Sequence, residues 1–264
     1  MANNYTLGRG KLFFARFNTG TLVPKGERYL GNTPEFSLTI EQEELEHFSS
    51  DGGIREKDDS ISLEVTRSGS FTTDNIDPEN VALFFFGEKS TVADAGASIV
   101  DESVAAVEQG LYYQLGQSAT RPSGARGISE DSTATPIVVS SDDTAGTIFV
   151  VDTDYTIDLE TGRLYIVPGG NIVDGTSLLV DYTIRASSRS RVISGGTPIE
   201  GAMRFVADNP KGPNLDYYFP RVQISPNGDY ALKSDEWQTI PFSLEVLKRE
   251  DREAIYLDGR PAFA

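Results

Sequence analysis

The sequence predicts a mainly β protein, and three observations carry that expectation. Apolar and polar residues alternate along most regular segments, the period of a strand with one buried face. Turn-forming clusters of Gly, Pro, Asn and Asp separate short candidate strands in the middle of the chain. Only one stretch carries a helix signature.

The elements follow in order. Residues 11–17 form an aromatic-rich strand. In residues 35–41, Phe36, Leu38 and Ile40 share a face opposite Glu35, Ser37, Thr39 and Glu41. In residues 60–71, Ile61, Leu63 and Val65 alternate with Ser62, Glu64 and Thr66. Between them, residues 41–59 hold ten charged side chains among Ser, Gly and His. Hairpins usually close in a few residues, so this reads as a long charged loop held by a neighbouring subunit. Its candidate contact residues are Glu41, Glu43, Glu44, Glu46, His47, Asp51, Arg55 and Asp58.

Asp77 is the candidate N-cap of a short helix, with Pro78 at its first position. Val81, Phe84 and Phe85 recur at helical spacing, and Gly87 is the candidate stop. Residues 118–135, rich in Ser, Thr, Gly and Arg, read as a linker or loop. Residues 136–186 read as a compact β unit with strands at 136–141, 147–151, 155–159, 164–167 and 177–184. A Ser/Gly-rich boundary follows at 186–198, then strands at 202–207, 217–225 and 238–248. In the last, Ile240, Phe242, Leu244 and Val246 form one apolar face, opposed by Thr239, Ser243 and Glu245. The expected division is therefore a discontinuous domain of residues 1–117 and 191–264, with residues 118–190 inserted into it.

The 264 residues, 38% of them apolar, suffice for a sizeable core. The net charge of −17 argues against a grip on nucleic acid, which needs clustered Lys and Arg. The chain has no cysteine, hence no disulfide, thiolate metal site or cysteine nucleophile. Residues 1–10 contain no apolar region of the signal-peptide kind. The longest apolar run, 81–86, is far short of the roughly 20 residues of a membrane helix, so a soluble protein without a membrane span is expected.

Catalytic and cofactor motifs do not emerge. His47 is the only histidine, which leaves a triad or a His-based metal centre without its partners. Asp152, Asp154 and Asp158 fail as a calcium loop, because Ile157 and Arg163 occupy the positions of its glycine and glutamate. Gly8, Gly10 and Lys11 lack the remainder of a phosphate-binding loop. No catalytic residue, cofactor or metal is expected. Arg185, Arg189 and Arg191 form a candidate basic contact cluster, readable either as a partner for acidic loops of another copy or as a solvated linker.

Several segments resemble the major tail tube proteins of long-tailed, siphovirus-like bacteriophages. They are the early strand pair (36–40 with 61–65), the helical segment 77–87, and the C-terminal stretch. That stretch reads Tyr-Phe-Pro-Arg-Val-Gln-Ile-Ser-Pro-Asn-Gly from Tyr218, continuing through Ser-Asp-Glu-Trp-Gln from Ser234 into the final alternating strand. The resemblance covers roughly residues 1–87 and 198–264. It implies a β-sandwich or barrel-like subunit flanked by a short α-helix. The middle then departs from a minimal tube protein as an inserted Ig-like or similar small β domain on the tube exterior.

The implied function is that of a virion structural protein in the phage tail, assembled in the host cytoplasm. Six copies form a ring, and rings stack into a conduit through which DNA passes without specific binding. Implied partners are further copies, tape measure, terminator and tail tip proteins. Thr239, Ser243 and Glu245 are the candidate lumen-facing residues, and carboxylates there repel phosphate over about 8 Å in physiological salt. The alternatives are a tail terminator or baseplate ring, an injection-system tube, or a host-surface binding module in the insertion.

Overall fold

The computed structural model describes residues 5–130 and 135–261. The protein is mainly β, with several antiparallel sheets and, among the described residues, one helix. The chain begins with β1 (Gly10–Arg16), β2 (Arg28–Tyr29), β3 (Glu35–Ser49), β4 (Glu56–Thr73), α1 (Pro78–Phe84) and β5 (Glu88–Asp94). A middle group follows: β6 (Ala97–Val107), β7 (Tyr112–Gln114), β8 (Val138–Ser141), β9 (Tyr155–Asp158), β10 (Arg163–Ile166) and β11 (Thr176–Ile184). The chain ends with β12 (Ser187–Ile193), β13 (Ile199–Ala207), β14 (Leu215–Pro226), β15 (Ile240–Val246) and β16 (Tyr256–Gly259).

Two compact units result. One comprises residues 1–90 and 190–264, the other residues 91–189. The chain leaves the first along β5 and returns along β12, and these two strands pair. The expected boundary at 117/118 is thus corrected to 90/91. β6 pairs with β11 and β7 with β10, so residues 97–114 belong with strands much later in the chain.

The first unit is built on an eight-stranded sheet ordered β2-β1-β13-β14-β15-β4-β3, with β16 also paired to β14. Its inner face buries Leu12, Phe14, Phe71, Phe219, Ile224, Phe242 and Leu244. Phe71 stacks on Phe242 with ring centroids 4.9 Å apart, and Phe36 meets Phe219 edge-on at 6.2 Å. Gly69 lies between Leu38 and Leu244 in register; a Cβ there would come within 2.5 Å of the Ser37 carbonyl oxygen, so close strand approach requires glycine.

Helix α1 begins as the sequence predicts. The Asp77 carboxylate accepts from the backbone N–H groups of Glu79 and Asn80, and Pro78 follows it. Its end differs from expectation. The left-handed residue is Phe86, at φ 51°, and not Gly87. Phe86 N–H donates to Leu83 and Gly87 N–H to Ala82, which together form a Schellman cap. Gly87 serves close approach instead, since a Cβ there would lie 2.0 Å from the Ile193 carbonyl oxygen.

The second unit contains two three-stranded antiparallel sheets, β7-β10-β9 and β6-β11-β8, around a core that includes Val107, Leu115, Ile128, Leu164, Leu178 and Tyr182. Residues 118–130 do not form the expected linker: Ala125 and Ile128 are buried in that core. Residues 131–134 of the expected linker lie outside the described residues. The expected strand at 147–151 is reduced to isolated bridges, Ser140 with Ile148 and Val151 with Tyr155. The Asp154 carboxylate holds this bend. It accepts from Val150 N–H and from both the backbone and side chain of Asn171, and these bonds lower its pKa despite burial.

Candidate assembly interface

The expected charged loop at 41–59 is mostly strand. Strands β3 and β4 stay paired from Glu35–Thr72 out to Ser49–Glu56, leaving residues 50–55 as the connection. Alternation between buried and exposed residues stops because both faces of this outer hairpin are open, not because pairing stops. Backbone hydrogen bonding needs no apolar face, and cross-strand side chains reinforce it. Gln42 Nε2 donates to Ser62 at 2.7 Å, Ser60 Oγ to Glu44 at 2.7 Å, and Lys57 Nζ to Glu46 at 2.8 Å. His47 Nδ1 lies 2.5 Å from Asp58. Glu41, Glu43, Glu44, Glu46 and His47 therefore stand on β3, Asp58 on β4, and Asp51 and Arg55 on the connection. Arg55 lies over the Phe48 ring.

This arm has two properties that concern association. Residues 41–66 carry nine carboxylates against two cationic side chains. They also expose Leu45, Phe48, Ile54, Ile61, Leu63 and Val65, with Ile40 at the base. A two-stranded hairpin with apolar side chains open to water is marginal alone and gains from being covered. In addition, β3 is the terminal strand of its sheet, so its outer edge offers backbone donors and acceptors along fifteen residues.

The outer face of the same sheet is different. Ser37, Ser70, Ser243 and Ser225 stand in register across β3, β4, β15 and β14. The Ser37 and Ser70 hydroxyls are 3.0 Å apart. The neighbouring row is Thr39, Ser68, Glu245, Gln223 and Glu200, and Glu200 pairs with Arg221 at 3.0 Å. Of the predicted polar positions, Ser243 and Glu245 lie on this face, and Thr239 lies just before β15. The alternation within residues 238–248 marked the outward residues of β15, but the cross-strand serine row depends on register, which a single strand does not reveal.

The chain belongs to a described family. Its match spans residues 5–255, and the family's description is "Protein of unknown function UCP028589". That range takes in every strand from β1 to β15, hence the strands of the second unit as well. No curated protein matches the chain.

The remaining candidates divide. Of the basic cluster, only Arg185 is exposed; Arg189 and Arg191 lie on strand β12, not on a linker. Both Nη atoms of Arg189 and Nη2 of Arg191 are enclosed without a hydrogen-bond partner among the described residues. No group of three His, Asp or Glu side chains suited to a metal ion converges among the described residues. No described helix is long and apolar enough to cross a membrane. Trp237, the only tryptophan, was legible only as part of a C-terminal pattern, yet it is 95% exposed.

Proposed function

We propose that this protein is a structural subunit that assembles with copies of itself into stacked rings, as the tail tube of a long-tailed bacteriophage. The carrying observation is the β3–β4 arm: a terminal strand with an open edge, continued into a hairpin whose apolar side chains face water on both sides. Joining that edge to a neighbouring copy satisfies its backbone groups and removes an aggregation-prone edge. A contact between different surfaces of successive copies closes into a ring when its rotation permits. In this reading six copies make the ring, and the arm reaches beyond its own subunit to cover its apolar residues on another.

The serine row supplies the channel wall. Hydroxyls without net charge give passing DNA no cationic anchor, and Glu245 adds repulsion of phosphate at short range. The second unit stands on the tube exterior in this scheme. Tape measure, terminator and tail tip proteins are the further partners of the protein in this reading.

Negative-stain microscopy of the purified chain tests the reading. Long tubes are expected. Single rings that never stack would assign the chain to a terminator or baseplate ring, and a chain that stays monomeric at every concentration would overturn the proposal. A cryo-EM map of the tube with Ser70, Ser243 and Glu245 away from the lumen would defeat the wall assignment alone.

A further inference from the structure

Two surface patches of the first unit, on the loops at either end of β14, have opposite charge and complementary chemistry. The loop after β14 carries Trp237, 95% exposed, and Leu232, 76% exposed. Trp237 lines a groove with Asp74, Ile76, Glu236 and Gln238. Asp235 and Glu236 precede it, with Lys233 the one nearby cation in that loop. No ion pair engages Asp235 or Glu236 among the described residues, and the indole has no ring partner there. An aromatic side chain this large is seldom left open to water, and tryptophan is the residue most enriched among interface anchors.

The loop before β14 packs against the start of the chain, where Leu7 bridges to Lys211 and the Arg9 backbone N–H donates to Asn209. This patch exposes Tyr5, Leu7, Arg9 and Lys211, with the carboxylate of Asp208 beside them and that of Asp216 paired with Arg260. Lys211 lies over the Tyr5 ring, 5.7 Å from its centroid. Arg9 stands at the rim of a cavity of about 630 Å³ with an apolar wall of Phe36, Leu38, Phe205 and Tyr217. A concave aromatic wall with a few polar groups at its mouth is the form of a site that receives a flat ring.

We infer that Trp237 of one copy seats in the Arg9-lined cavity of a second copy, with Asp235 and Glu236 against Arg9 and Lys211. The inference rests on the self-assembly reading and specifies one of its contacts. Charge decides the occupant. Copies carrying −17 each repel, so association needs local contacts of opposite sign, and these two patches provide one. The contact joins different surfaces, so each copy uses its knob on one neighbour and its cavity on another.

The sole tryptophan makes the test direct. Emission of the full-length protein is compared between assembled material and free subunits, alongside assembly of Trp237→Ala, the pair Asp235→Lys/Glu236→Lys, the pair Arg9→Glu/Lys211→Glu, and the two pairs combined. Melting temperatures check that each subunit folds. Assembly should shift the wild-type emission to shorter wavelength. Trp237→Ala and each charge-reversed pair should weaken assembly by at least about tenfold, and the combination should recover most of it. Rings or tubes that form with unchanged emission, and with Trp237→Ala assembling like wild type, would overturn this contact while leaving the tube reading intact. A wild-type chain that forms no assembly would overturn both.

Discussion

The Tyr182 hydroxyl donates to the Glu102 carboxylate at 2.5 Å in the second unit, and the same carboxylate accepts from Gly116 N–H at its other oxygen. Glu102 thus ties β6 to β11 and to the turn after β7. Burial of the phenol, reinforced by that carboxylate, raises the Tyr182 pKa well above its ordinary value.

A pH dependence follows. The folded pKa lies above the unfolded value near 10, so the unfolded chain loses this proton first as pH rises. The contribution is fully present below pH 10 and falls above it by up to about 1.4 kcal/mol per pH unit. Urea titrations between pH 8 and 11 should show a steeper alkaline loss for wild type than for Tyr182→Phe. Equal slopes would mean that the phenol ionises as freely folded as unfolded.

Gln114 occupies a converging set of carbonyls. Its Nε2 lies within 3.3 Å of the carbonyl oxygens of Leu115, Ala125, Thr161 and Gly162. Gln114→Ala removes the donor and should cost about 1–3 kcal/mol. Gln114→Glu should cost more, because it turns a carboxylate toward oxygens at nearly the same volume. Chemical denaturation that ranks Glu as the milder change would contradict this.

Phe84 meets Phe242 at 6.2 Å and Tyr230 at 5.6 Å, both edge-on. It is half-buried, so Phe84→Ala should cost about 2 kcal/mol, below the span seen for fully buried Phe. Phe84→Asp should cost more, since it places an unpaired carboxylate against the core. A melting temperature unchanged by Phe84→Asp would place α1 outside the cooperative unit.

Replacing residues 44–63 by Asn-Gly would close the arm between the paired residues Glu43 and Glu64. Both faces of the removed segment are exposed, so the subunit should stay folded, with a stability change of about 1 kcal/mol or less. Stacked assembly should be lost. Tubes of normal length from this variant would show that the arm is dispensable for stacking.

Strand type, the capped start of α1 and the apolar face of β15 were legible in the sequence, because alternation and capping are local and their period is set by backbone geometry. The paired strands of the arm are not legible locally, because alternation reports a buried face, and Glu41 to Asp59 has none. The boundary at 90/91, the row of Ser37, Ser70, Ser243 and Ser225, and the exposure of Trp237 were decided only by tertiary structure. Each depends on which distant strands pair and in what register. That choice is made by the summed packing of residues far apart in the chain, which no local pattern records.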